Sequence, residues 1–261
     1  MIGIITLLIL LVSSQFTFCH SAEFGLARHA TPVLNSPDFN AVFGGADGTS
    51  LKTDHCGQVR ELEFIALPGT AFKIVEELKQ GAAKIYRVET DEYPAPAGVR
   101  LYVDHRFLEL NAVAPPGRTL NRPTLDKITD ALKRAVGSPY VWGGNAQTGV
   151  PELVEWFYNG NAKRDDSRLS LAGLDCSGLL YQSTAGWTPR NTPQLLHFGR
   201  PVPITGKNAA EIAGMLEPLD LIVWSGHVII VLDKLTVIES RLECGRQGNG
   251  GVVTTLLQKR L

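Results

Sequence analysis

The chain has 261 residues, 44% of them hydrophobic, which is enough to bury a sizeable core and fits two domains of roughly 100–150 residues each. Its 25 basic and 26 acidic residues leave a formal charge of −1, so nothing in the overall balance favours nucleic acid or another polyanion as partner.

Met1 to Ala22 reads as a secretory signal. An apolar run from Ile2 to Val12 is followed by polar Ser13-Ser14-Gln15 and then by the small residues Cys19, Ser21 and Ala22 ahead of Glu23. The run is shorter than the about 20 apolar residues of a spanning helix, so export without an integral membrane span is expected. No Lys or Arg precedes the run, which leaves an uncleaved hydrophobic anchor as the alternative. Bulky Phe16-Thr17-Phe18 argues against lipidation at Cys19. Without the signal three cysteines remain, Cys56, Cys176 and Cys244, an odd count in a compartment that permits disulfides. Cys56 and Cys244 can pair if the two halves of the chain touch; Cys176 is then left over.

From Glu23 to Asn121 short apolar runs alternate with turn residues: Ala41-Val42-Phe43, Phe64-Ile65-Ala66-Leu67, Phe72-Lys73-Ile74-Val75, Ile85-Tyr86-Arg87-Val88 and Val99-Arg100-Leu101-Tyr102-Val103. This pattern predicts an all-β half built as a small barrel or sandwich. Ala114-Pro115-Pro116-Gly117 and Arg122-Pro123 suit a linker, which places the domain boundary near residue 120, between a 23–120 domain and a 121–261 domain.

Beyond it, Thr124 is placed to cap a helix whose apolar residues Leu125, Ile128, Leu132 and Ala135 or Val136 recur at helical spacing. Gly144 to Gly173 reads as an inserted surface excursion, expected to rim a cleft. Cys176 to Ala185 predicts a helix stopped by Gly186. Leu221–Trp224, Val228–Leu232 and Leu235–Ile238 read as strands, the last two joined at Asp233-Lys234.

Cys176 falls at the start of its helix, where unpaired backbone N–H groups and the helix dipole favour a thiolate. A buried cysteine acting as a small hydrophobe is the competing reading, and flanking Asp175 and Ser177 make the site more polar than that requires. A thiolate nucleophile needs an imidazole to hold and return a proton, and the imidazole needs an orienting partner. His227 opens a strand after Ser225-Gly226, and Glu239 falls on the antiparallel neighbour across the Asp233-Lys234 turn, within reach of a strand-end pair. A solvated charge at a strand end is the equal alternative for Glu239. His29, His55, His105 and His197 lack metal-ligand spacing.

Pro139-Tyr140-Val141-Trp142-Gly143-Gly144, Leu174-Asp175-Cys176-Ser177-Gly178-Leu179, Thr188-Pro189-Arg190-Asn191-Thr192, Leu216-Glu217-Pro218-Leu219-Asp220-Leu221 and Gly226-His227-Val228, in this order, resemble the NlpC-type family of bacterial cell-wall cysteine peptidases. The resemblance covers most of the chain from about 124 to 240. It implies an α+β fold: a papain-like core, with a Cys-bearing helix on an antiparallel sheet carrying the histidine, preceded by a small all-β SH3-like barrel. It implies Cys176 as nucleophile, His227 as base and Glu239 in the third polar position, where the family more often has His, Asn or Gln. Tyr140 matches a tyrosine whose hydroxyl lies near the nucleophile, while Asp175, Ser177 and Thr192 match substrate-pocket positions, with Arg190 assisting. The implied reaction is hydrolysis, without metal or cofactor, of the γ-D-glutamyl to diamino acid (diaminopimelate) bond in peptidoglycan stem peptides or muropeptides. In relatives the SH3-like module selects stems with a free N-terminal L-Ala, for which Glu61, Glu63, Tyr93 and Tyr102 are the candidates here. A thiol acyltransferase or amidase on the same core, or a wall-binding module with a decayed centre, are the rival readings.

Overall fold

The structure is a computed structural model that describes residues 23–80 and 83–261. The expected signal, residues 1–22, lies outside them. The fold is α+β, with two large antiparallel sheets and short helices. Among the described residues no helix is long and apolar enough to cross a membrane.

The first half forms a seven-stranded antiparallel sheet, from edge to edge Leu62–Ala66, Thr31–Leu34, Leu101–Asp104, Ala83–Glu89, Ala71–Gln80, Phe24–Ala27 and Leu108–Asn111. The predicted runs at 64–67, 72–75, 85–88 and 99–103 fall largely within four of these strands. Ala41-Val42-Phe43 does not behave as one: Phe39–Val42 is a helical turn that buries Phe39 and Val42, and the chain extends only at Phe43–Gly44.

In the second half the Thr124 hydroxyl accepts from Lys127 N at 3.4 Å and starts the helix Leu125–Arg134, with Asp126 in its first turn and Lys133 and Arg134 in its last, as the helix dipole favours. Ile128, Leu132 and Ala135 are buried, whereas Leu125 and Val136 are exposed. The helix Cys176–Ser183 packs on a four-stranded antiparallel meander, Leu221–Trp224, His227–Val231, Thr236–Leu242 and Gly250–Leu256. Val228, Ile230, Ile238 and Val252 meet the Cys176 helix on one face; Ile229, Val231, Val237 and Leu257 form a smaller core on the other.

Gly144 to Gly173 departs from expectation. The helix Pro151–Phe157 turns Leu153 and Phe157 inward, and Val150, Tyr158, Leu169 and Leu171 join them in the core of the first sheet. The segment covers that sheet, and none of residues 144–173 lines the cleft at Cys176.

A disulfide and several polar ties hold the halves together. A disulfide joins Cys56 to Cys244, 188 positions apart, with Cα atoms 5.0 Å apart. Arg118 of the Pro-rich linker forks onto Glu92 at 2.9–3.0 Å, and Glu92 also accepts from Tyr181 Oη of the Cys176 helix at 3.1 Å. Asn145, fully buried, pairs with the backbone of Ile65: its Oδ1 accepts from Ile65 N at 3.0 Å and its Nδ2 donates to Ile65 O at 2.8 Å.

Candidate active site

Asp175 is the N-cap of the Cys176 helix, its Oδ1 accepting from Gly178 N at 2.6 Å. A glycine is needed at 178 because a Cβ there would collide with the Gly144 carbonyl. That close approach seats the helix start, and with it Cys176, at the floor of a cleft of about 140 Å³. The cleft is lined by Tyr140, Trp142, Asp175, Ser177 and Thr192 from the second half and by Glu63 and Tyr93 from the first.

Cys176 is the free cysteine among the described residues. Its Sγ lies 3.8 Å from Gly226 O and against the Val228 N–H, so the backbone on both sides of His227 touches the sulfur. Gly226, at φ +87°, makes the two-residue turn that brings the Leu221–Trp224 strand into the His227 strand. His227 Nε2 meets Glu239 Oε2 at 2.9 Å. The Trp224 ring lies across the imidazole with centroids 5.0 Å apart. Glu239 is fully buried and so is not a solvated strand-end charge.

The thiol does not follow the thiolate expectation. Burial pushes Cys176 up to about 11 and the neighbouring Asp175 carboxylate adds to this, while the N–H groups of Val228 and Ser177 and the Arg190 charge pull the other way. A thiol raised this far keeps its proton at neutral pH. Burial likewise raises the Tyr140 hydroxyl, with Asp175 and Cys176 adding to it, so it stands as a neutral donor beside the sulfur.

Arg190 does not serve the cleft as expected. Arg190 is buried, at 3% exposure, and every guanidinium N–H is taken: Nε by Asn145 Oδ1 (3.0 Å), Nη1 by Asp175 Oδ1 (3.1 Å) and Ser177 Oγ (2.9 Å), and Nη2 by Asp175 Oδ2 (2.7 Å) and Gly144 O (3.4 Å). No donor is left for a ligand; Arg190 fixes Asp175 and Ser177 from behind.

Of the four candidates for an amine site, Glu63 and Tyr93 line the cleft. The Tyr93 hydroxyl donates to Glu63 Oε2 at 2.6 Å, and Asn35 Nδ2 holds Glu63 Oε1 at 2.8 Å. Glu61 is instead paired with Lys52, and Tyr102 is buried in the first core. Several site residues carry no sequence signal: Asn145, Gln58, whose Oε1 accepts from Trp142 N at 2.8 Å, and Arg260, whose Nη2 reaches Glu239 Oε2 at 2.9 Å.

His55, Cys56 and Cys244 bring potential metal-ligating atoms within 4.8 Å of one another, but the disulfide consumes both sulfurs. A larger groove of about 380 Å³, lined by Leu195, Phe198, Ile212 and Leu216, contains neither cysteine nor histidine. The smaller cleft holds the free thiol of Cys176, and His227 is not among its lining residues.

No family model and no curated protein matches the chain. Among solved structures, a crystal structure of an NlpC/P60 family protein from Bacillus cereus is similar at 18% identity, covering 90% of this chain and 59% of that one with a TM-score of 0.34.

Proposed function

We propose that this chain is an exported cysteine endopeptidase that cleaves the γ-D-glutamyl to diamino acid bond of peptidoglycan stem peptides, on a papain-like core (121–261) preceded by an SH3-like module (23–120). The observation that carries this reading is a free thiol at a capped helix start, at the floor of a cleft, against the backbone of a histidine whose ring is held by a buried carboxylate.

In this reaction His227 takes the Cys176 proton as the sulfur attacks the γ-carbonyl carbon. With Nε2 engaged by Glu239, Nδ1 is the nitrogen that receives it. The Tyr140 hydroxyl donates to the developing oxyanion. Collapse breaks the C–N bond, and His227 returns its proton to the leaving amine. Water then hydrolyses the thioester, releasing the D-glutamyl product and restoring the thiol. Glu63 and Tyr93 supply the negative and polar groups that receive a free L-Ala amine.

The test is mass spectrometry of products from L-Ala-γ-D-Glu-diaminopimelate and from the same stem attached to muramic acid. Cleavage after D-Glu by the native protein and none by Cys176→Ala is expected. Intact substrates in both reactions overturn the peptidase reading.

A further inference from the structure

Glu239 sits in an unusual charge environment for the partner of a general base. Its Oε2 is shared by His227 Nε2 and Arg260 Nη2, each at 2.9 Å, and its Oε1 has no hydrogen bond, with Arg241 Nη1 at 3.5 Å. Arg241 is also committed elsewhere, since its Nε donates at 2.9 Å to Glu243, which in turn takes Arg246. Among the described residues Arg260 has no other carboxylate partner. It is carried to this place by the turn Leu257–Lys259, whose Leu257 is packed with Ile229, Val231 and Val237.

A bare carboxylate buried against an imidazole favours the imidazolium, because in a low dielectric each charge stabilises the other. An imidazolium cannot accept the Cys176 proton. A cation that already balances the carboxylate removes this bias, yet leaves the hydrogen bond that orients the ring.

We propose that Arg260 is a positioning residue that balances the charge of Glu239, so that the ionised carboxylate holds the His227 ring by a hydrogen bond without acting on it as a bare buried charge. The Glu239 carboxyl is held below its ordinary range: burial pushes it up, but the His227 hydrogen bond and the Arg260 and Arg241 charges outweigh this. The groups facing the pair are Glu239 and Arg241 from the Thr236–Leu242 strand, Glu243 just after it, Arg260 beyond the turn and Trp224 from the neighbouring strand, while Cys176 of the helix touches the backbone on either side of His227.

The proposal rests on the reading of His227 as a base, but its test needs no substrate, so a failed peptidase assay and a failed Arg260 role are distinguishable. The test is the pH titration of His227 by NMR in 15N-histidine protein, with the resonance assigned by its loss in His227→Gln. Arg260→Met is expected to raise the midpoint by about one pH unit and Arg260→Lys to leave it near the native value. The double variant Glu239→Gln/Arg260→Met is expected to abolish the rise. A midpoint in Arg260→Met equal to the native one overturns the proposal. If Arg260→Met does not fold, Arg260→Gln, which keeps a polar side chain and removes the charge, takes its place: the same rise is expected, and an unmoved midpoint overturns the proposal.

Discussion

Arg190 and Asp175 form a two-pronged buried ion pair directly beside Cys176, with Nη1 on Oδ1 at 3.1 Å and Nη2 on Oδ2 at 2.7 Å. Burial works against the Arg190 charge, and Asp175 more than restores it. Removing one member of such a pair leaves the other as an uncompensated buried charge. Arg190→Met is expected to cost about 3–5 kcal/mol in urea unfolding. Arg190→Lys also loses stability, because a single ammonium cannot reproduce the five-donor fork. Either variant at native stability shows that the pair does not support the helix start.

What the sequence reveals of this site follows from how local its signals are. The Cys176 helix is announced by a capping Asp next to an apolar run, and the His227–Glu239 pair by two apolar strands across a short turn. Arg190 shows only as part of a motif, and a motif does not say which way a guanidinium points; its burial depends on Asn145 and Gly144, 45 and 46 residues away. Arg260 meets Glu239 across 21 positions with no periodic pattern to link them. The strand Gly250–Leu256 opens on two glycines and carries two threonines, so its composition resembles a loop, and pairing with Thr236–Leu242 is what makes it a strand. Gly144–Gly173 reads as surface because its apolar residues are spread among charges. Its partner, the first sheet, precedes it by many residues, and local periodicity does not register a core assembled from distant segments.

The Cys56–Cys244 disulfide closes a long loop and fastens the 54–60 turn, which carries Gln58 and Arg60, to the segment after the Glu239 strand. Gln58 holds Trp142 N, and the Arg60 guanidinium lies 4.4 Å above the Trp142 ring at the cleft edge. Cys56→Ser/Cys244→Ser is expected to cost about 2–5 kcal/mol by constraining the unfolded chain less. Loosening one wall of the cleft is expected to raise KM more than it lowers kcat. Thermal unfolding and steady-state kinetics check the two effects, and an unchanged KM separates the disulfide from the cleft.

The protonated state of Cys176 sets a pH signature. A thiol raised from 9.0 to about 11 favours the native state while it is protonated. That contribution, on the order of 2–3 kcal/mol, is fully present below pH 9 and is lost as pH rises through about 11. The stability gap between the native protein and Cys176→Ala is therefore expected to narrow across that range in urea titrations. Iodoacetamide labelling of Cys176, followed on its own peptide so that Cys19 does not interfere, is expected to accelerate only at alkaline pH. A fast plateau near neutrality means a preformed thiolate–imidazolium pair and contradicts this picture.

Glu63 tests how the first half of the chain contributes to specificity. Its carboxylate faces the cleft, fixed by the Tyr93 hydroxyl at 2.6 Å and Asn35 at 2.8 Å, so it meets an incoming ammonium without reorganising. A hydrogen bond to a charged group contributes about 1.5–3 kcal/mol, which corresponds to a change of about 10- to 100-fold in kcat/KM. Glu63→Gln keeps the shape and removes the charge. It is expected to lose that factor on a stem with a free L-Ala amine and to act like the native protein on the same stem with its amine acylated. Equal losses on both substrates place Glu63 in the architecture of the cleft wall, whereas no loss on either means that the amine lies elsewhere.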